Sequence, residues 1–328
     1  MDIKKLGTLT TSTLGLGCMG MSAAYGPADR DESIATVHAA LDAGITLLDT
    51  GDFYGMGHNE LLLAEALRSV PRDNYQLSVK FGAQIGPDGA WLGFDARPSA
   101  VKTAVAYSLQ RLGTDYIDIY RPARLDPTVP IEDTVGAIGE LVDAGFVRHI
   151  GLSEVGPETI RRAAAVRPIS DLQIEYSLAS RGIERGILDT CRELGIGVTA
   201  YGVLARGLIS GHWTKDRVAE NDSRLATPRF AEENLDRNLA LVEALRGVAD
   251  ELGITVAQAA IAWVGSRGTD IVPLVGARTR SRLAESVGAA GATLTEEQLA
   301  AIEAAVPAEQ VAGDRYPAVH MAQLDSER

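Results

Sequence analysis

The chain has 328 residues, 46% of them hydrophobic, and a formal charge of −13. So acidic a chain lacks the basic face that nucleic-acid phosphates demand. No stretch approaches the ~20 apolar residues of a membrane helix, and the opening MDIKKLGTLT lacks a signal-peptide core. Cys18 and Cys191 have no partners at metal spacing and suit a reducing compartment, so a cytoplasmic protein is expected.

In chain order, the alternating stretch DIKKLGTLTTSTLG predicts a small hairpin. Eight short apolar runs follow: TLGLGCM, ITLLDT, QLSVKF, YIDIYR, VRHIGLS, LQIEYS, IGVTAY and IVPLVG. Amphipathic segments of helical period separate them, among them DESIATVHAALDAG, RPSAVKTAVAYSLQRLG and PIEDTVGAIGELVDAG. Gly44, Gly113, Gly145 and Gly195 stand just past the last periodic residue, where a left-handed residue ends a helix. Eight strand–helix units in a chain of this length predict an α/β fold: one (β/α)8 TIM barrel, with the N-terminal β-hairpin closing its floor and a C-terminal extension. No low-complexity or charge block divides the chain, so residues 1–328 are expected to form one domain.

The competing reading is a doubly wound sheet, because GLGCMG at 15–20 has the form G-x-G-x-x-G and Asp49 ends the next run. That fingerprint needs its third glycine to open a helix at once, so that the helix N-terminus meets a pyrophosphate. Here MSAAYGPADRDE intervenes, and the helix is expected to start near Asp31. These glycines read instead as a close strand-to-loop approach.

In a barrel, function gathers at the C-terminal ends of the strands. Those ends carry Asp49 with Tyr54 beyond it in LLDTGDFYG, then Lys80, YRPARLD, Ser153 with Glu154, Gln173 with Tyr176, Tyr201 and Gly276. A carboxylate, a phenol and an ammonium can meet at one mouth. A tyrosine with a pKa near ~10 is a poor donor to a developing alkoxide. The Lys80 ammonium is expected to lower that pKa, with Asp49 keeping the lysine charged and oriented. Taken alone, Asp49 and Lys80 read equally well as a structural ion pair.

The motifs DTGDFYG, SVKFG, HIGLSE, QIEYS, AYGVLARGLISG and IVPLVGARTRSRLAES, in this order along nearly the whole chain, resemble the aldo-keto reductase superfamily. The branch they resemble is the one shared by bacterial and plant reductases and the potassium-channel β subunits. The resemblance implies a barrel that binds NADP(H) without a Rossmann domain and acts on a small carbonyl or alcohol. It makes Tyr54 the general acid, with Lys80 and Asp49 setting its ionisation. It places Ser153 and Gln173 on the nicotinamide carboxamide and Tyr201 against the ring. The loop carrying Gly202, Leu204, Arg206 and Gly207 would wrap the pyrophosphate with backbone N–H groups. Beyond Gly276, Arg278 and Arg282 at a helix start suit a 2′-phosphate, and Glu285 and Ser286 the adenine, where the family usually has asparagine at the latter.

One departure stands out. Where relatives carry a histidine, in patterns like Y-Q-P-H-R, this chain has YRPAR, with Ala123 at that position and no donor for a substrate carbonyl. Such a donor is worth about 3–4 kcal/mol of transition-state stabilisation. Arg121 and Arg124 stand nearby, although strand alternation sends neighbours to opposite faces. His58 either reaches back into the mouth or is an exposed loop residue. Phe81, Trp91, Phe94 and Trp213, in the loops FGAQIGPDGAWLGFDARPS and GHWTKDRVAENDSRLATPRF, read as walls for an apolar or ring-bearing substrate, while Met19, Met21 and Trp91 read either as pocket lining or, preferably, as core fillers. The alternative function is an NADPH-binding regulatory or redox-sensor protein with little turnover, against which the retained Asp49, Tyr54 and Lys80 argue.

Overall fold

The computed structural model describes residues 1–22, 24–214 and 222–328. It opens with β1 (Ile3–Leu6) and β2 (Leu9–Ser12), paired antiparallel as the alternation predicts. Then come β3 (Gly15–Gly17), α1 (Arg30–Asp42), β4 (Leu47–Gly51), α2 (His58–Leu67) and β5 (Gln76–Phe81). A second hairpin, β6 (Ala83–Ile85) and β7 (Trp91–Phe94), stands on the rim before α3 (Pro98–Leu112). The chain continues through β8 (Ile117–Pro122), α4 (Ile131–Asp143), β9 (Val147–Ser153), α5 (Pro157–Val166), β10 (Ile169–Glu175), α6 (Ile187–Glu193) and β11 (Gly197–Tyr201). It ends with α7 (Glu232–Leu252), α8 (Val256–Ser266), β12 (Ile271–Gly276), α9 (Arg280–Gly288), α10 (Glu296–Ala305) and α11 (Ala318–Met321). Eight strands, β3, β4, β5 and β8 to β12, close in sequence order into a parallel barrel. No helix of the described residues is long and apolar enough to cross a membrane.

Local chemistry sets the helix ends. Asp29 caps α1 by accepting from the Glu32 backbone N–H at 2.7 Å, and Thr255 and Thr295 form reciprocal capping boxes with Gln258 and Gln298. The four glycines expected to stop helices all have left-handed backbones, with φ of 85°, 66°, 84° and 68° at Gly44, Gly113, Gly145 and Gly195. The sheet closes, and Gly20 falls in a short 3-10 turn (Met19–Met21) well ahead of α1. No helix N-terminus meets those glycines, and the doubly wound alternative falls.

The barrel interior is graded from floor to mouth. At the floor, Leu6 and Leu9 of the hairpin pack against Leu47, Ile119, Val272 and Leu274. The hairpin therefore plugs the barrel with apolar side chains, and excluding water at this end is what makes burial of charge possible one layer higher. The plug sits close: a Cβ on Gly197 would lie 2.6 Å from the Leu6 Cα.

Gly197→Ala is therefore expected to force the hairpin off its seat and to destabilise the fold by ~1–3 kcal/mol, the cost of overpacking a core. Urea denaturation measures it, and an unchanged midpoint would mean that the plug slides freely.

Candidate active site

Above the leucine floor, the inward-facing positions of four strands carry charge. Asp49 of β4 pairs with Lys80 of β5 through a short contact, both side chains about 5% exposed. The same carboxylate accepts from Ser78 Oγ at 2.8 Å and Gln173 Nε2 at 2.6 Å. Arg121 of β8, fully buried, donates to Ser78 Oγ at 2.9 Å, pairs with Asp171 of β10 at 3.0 Å and lies 3.9 Å from Asp49. Thr199 of β11 donates to Asp171. Two anions and two cations thus form one neutral layer, the arrangement that makes buried charge tolerable. Arg121 therefore points inward and belongs to this layer. Its Nε and Nη1 and the Asp171 Oδ1 make no hydrogen bond among the described residues.

Tyr54 sits at the upper edge of the layer, largely buried, with the Lys80 Nζ 5.1 Å from its ring centroid. The expected lowering of its pKa is overturned here. Burial first, and the Asp49 carboxylate second, push the phenol well above its ordinary value, against a smaller opposite pull from Arg124. Burial likewise lowers Lys80, against the pull of Asp49. Loss of water around the phenol is the larger cause, and the negative field of Asp49 adds to it. What the geometry produces is a phenol that keeps its proton.

Around this acid the structure gathers the other residues singled out at strand ends. Ser153 is buried at the end of β9 and accepts from Arg124 Nη1 at 3.3 Å. Gln173 faces Asp49, and Tyr201 donates from its hydroxyl to Glu154 Oε1 at 2.6 Å. After β11 the backbone is left-handed at Ala205, Arg206 and Gly207 in succession, a tight turn in which the Ala205 and Gly207 N–H groups donate to the Gly202 and Leu204 carbonyls at 2.7 and 2.8 Å. Gly202 and Leu204 lead into it. The Arg206 side chain turns away, donating to the Arg315 carbonyl and stacking on Tyr316 at 4.2 Å. At the other corner, Gly276 is exposed at the end of β12 and Thr279 caps α9. Arg282 and His212 Nε2 both pair with Glu285, at 3.2 and 2.9 Å, and Ser286 donates to the Arg282 carbonyl at 3.0 Å. Arg278 donates to the Tyr25 and Pro27 carbonyls at 2.8 and 3.2 Å, fastening the β3–α1 loop beside this corner.

Other residues lie elsewhere. His58 is exposed at the start of α2, hydrogen-bonded to Ser22 Oγ at 2.8 Å, and belongs to the loop rather than the mouth. Phe81 and Trp213, expected as pocket walls, are buried instead: Phe81 stacks on Tyr120 at 4.5 Å and Trp213 meets Phe230 edge-on at 4.8 Å. Trp91 and Phe94 do stand on the rim hairpin, 4.9 Å apart. Of the loop GHWTKDRVAENDSRLATPRF, residues 215–221 lie outside the described residues. Met21 fills the core, as expected.

The largest surprise is a second ionic layer, over the mouth. Arg315, from the segment after α10, pairs with Glu154 at 2.6 Å and lies 3.5 Å from Glu175, which Arg229 approaches at 3.3 Å. Burial works to raise the Glu154 carboxyl, but Arg315 and the Tyr201 hydroxyl hold it down to about 2. Glu154 has a left-handed backbone, φ 54°, an uncommon state for a residue with a side chain. Its backbone accepts from Ser326 N–H at 3.2 Å and donates to the Gln173 carbonyl at 3.1 Å.

Comparison with known proteins agrees with this geometry. Residues 13–307 match the profile described as the Aldo/keto reductase family. The chain is 44% identical over 317 residues to "Probable aldo-keto reductase 1" of Glycine max, covering 95% of this chain and 91% of that protein. Among solved structures it is similar to a glycerol dehydrogenase from Gluconobacter oxydans, with TM-score 0.85, 30% identity and coverage of 93% and 94% of the two chains. It is also similar to the holo form of an aldo-keto reductase from Bacillus halodurans, with TM-score 0.79, 28% identity and coverage of 94% and 97%.

Asp171→Asn removes the partner of a fully buried guanidinium and is expected to cost on the order of 3–5 kcal/mol. Replacing both ends, as Arg121→Met with Asp171→Leu, is expected to recover most of that loss in the same unfolding assay. A single variant as stable as the parent would show that the two charges are not matched to each other.

Proposed function

From the premise that the chain belongs to the aldo/keto reductase family and is an oxidoreductase of that family, we propose that it transfers hydride between NADP(H) and a small carbonyl or alcohol, with Tyr54 as the acid. The observation that carries this is the meeting at one barrel mouth of a protonated phenol, the Asp49–Lys80 pair and the polar trio Ser153, Gln173 and Tyr201. The residues present fit a dinucleotide phosphate. The tight left-handed turn at Ala205, Arg206 and Gly207 lets the backbone approach a pyrophosphate closely, and the N-terminus of α9 with Arg278 and Arg282 offers charge for a 2′-phosphate. Glu285 and Ser286 stand one turn further along the same helix. The bound cofactor supplies the hydride. Ser153 and Gln173 would hold its carboxamide and Tyr201 its ring face.

The rest is the work of this chain's own atoms. Tyr54 keeps its proton near neutral pH and releases it only to an oxygen that is gaining negative charge. Lys80, fixed by Asp49, then stabilises the phenolate left behind. The buried layer beneath excludes water from the transfer and holds Asp49 through Ser78 and Gln173. The relative named as a glycerol dehydrogenase brings the oxidative direction into the proposal as well.

Tyr54→Phe is expected to lower carbonyl reduction by ~10²–10⁴-fold, the share of a positioned general acid, with NADPH affinity kept. Lys80→Met should resemble it. A phenylalanine variant reducing its best substrate at the parent rate would remove Tyr54 from the role.

NADPH is expected to bind more tightly than NADH, because only the 2′-phosphate gains charge-assisted contacts from the arginines. Cofactor fluorescence titration of the parent, Arg278→Glu and Arg282→Glu reads this directly. Both reversals should weaken NADPH far more than NADH, and equal affinities in the parent would refute the assignment.

A further inference from the structure

The mouth holds several buried or half-buried cations, and five of them have a carboxylate within reach. Lys80 has Asp49, Arg121 has Asp171, Arg315 has Glu154, Arg229 has Glu175 at 3.3 Å, and Arg206 lies 3.7 Å from Glu175. Arg124, just beyond β8, differs: among the described residues, no carboxylate forms an ion pair with its guanidinium within 4.0 Å. Its partners are neutral oxygens: the Ala123 carbonyl at 2.6 Å, Ser153 Oγ at 3.3 Å, and the Tyr316 and Tyr201 hydroxyls at 3.2 and 3.5 Å. Nη1 is held by the first two, while Nη2 has only the two long phenol contacts. A guanidinium withdrawn from water without a counter-charge is costly. Glu154 acts on Arg124 only at longer range, through Tyr201, so a direct counter-ion has room to add to what the phenols provide.

Arg124 is also placed for substrate. It touches Ser153 and Tyr201, its charge acts on Tyr54, and it follows Ala123, which has no side-chain donor to offer a carbonyl. The cofactor phosphates have their proposed place elsewhere, after β11 and at α9. A guanidinium whose outer nitrogen Nη2 makes only long contacts to phenols suits one carboxylate oxygen, and Arg315 beside Tyr201 adds to the positive field there. Resting on the reductase reading above, we infer that Arg124 is the anion-binding residue of the substrate pocket, and that the preferred substrates are aldehydes or ketones bearing a carboxylate. The carboxylate takes Nη2 from the two phenols, and the Tyr316 hydroxyl can then donate to it, while Tyr201 goes on donating to Glu154.

The test compares 4-carboxybenzaldehyde with its uncharged methyl ester as substrates, by NADPH oxidation with the full-length protein. The parent is expected to favour the carboxylate by ~10–100-fold in kcat/KM, the range of one charge-assisted contact in a closed site. Arg124→Gln should collapse that ratio at least tenfold, mostly through KM, and Arg124→Lys should restore part of it. The parent's own preference is readable even if a variant fails to fold. A parent that reduces the ester as well as the acid overturns the inference while leaving the reductase reading intact. Equal losses on both substrates would make Arg124 a general polarising donor, and weakened NADPH binding at an unchanged ratio would move it to the cofactor site; either result also overturns it. If neither aldehyde is reduced while NADPH fluorescence reports binding, the reductase reading itself falls and takes this inference with it.

Discussion

Charge buried inside a closed barrel has to be matched there, and this constraint organises the molecule. Asp49, Lys80, Arg121 and Asp171 come from four different strands, so their pairing ties β4, β5, β8 and β10 at one height. The layer also dictates what surrounds it. Gly151 of β9 is glycine where any Cβ would lie 2.5 Å from Asp171 Oδ1 and 2.8 Å from Arg121 Nε. The leucine floor seals the layer from below. Above the layer, burial and the Asp49 carboxylate keep Tyr54 a protonated phenol.

The second ionic layer does for the rim what the first does for the interior. Glu154, Glu175, Arg229 and Arg315 fasten the segment after α10 across the mouth. Asp325 adds to this by accepting from the Gly156 N–H at 2.8 Å, at the head of α5. Arg315 and Asp325 lie beyond residue 307, where the match to the family profile ends, yet this tail sets the surroundings of Tyr201 and brings Tyr316 to Arg124. The C-terminal extension is therefore a wall of the site. The left-handed backbone of Glu154 fits this role. Strain of this kind persists only where the surroundings over-determine it, and here a bidentate guanidinium, a phenol and the tail's Ser326 all converge on one residue.

What was legible in the sequence follows from the range of the interaction involved. The hairpin, the eight strands and the glycines that stop the helices are local signals, carried by period and by one residue's backbone freedom, and they read correctly. Asp49, Tyr54 and Lys80 were legible because strand ends are fixed by the same periodicity. Arg121 and Asp171 sit inside YIDIYR and the strand leading to LQIEYS, where each looks like a stray charge in an apolar run. Only barrel closure reveals that they face each other. Glu154 and Arg315 are 161 positions apart, and no spacing rule spans that distance. The ionisation of Tyr54 ran opposite to expectation because a list of neighbours says nothing about burial, which outweighs them. Phe81 and Trp213 misled for the related reason that an aromatic in a loop motif and one packed into the core read alike.

These two layers also give meaning to the pair Ala123 and Arg124. An imidazole at position 123, as the resemblance led one to expect, would polarise any carbonyl placed beside Tyr54, without regard to what else the substrate carries. Alanine there removes that indifferent donor. A guanidinium one residue on, with its own carboxylates kept away by Arg315 and Arg229, responds to charge on the substrate. If Arg124 receives the substrate's anion, an uncharged carbonyl gains less from the site than a charged one. The barrel's interior matches its charges in direct ion pairs, whereas Arg124 at the mouth is held by neutral oxygens and feels Glu154 only at longer range.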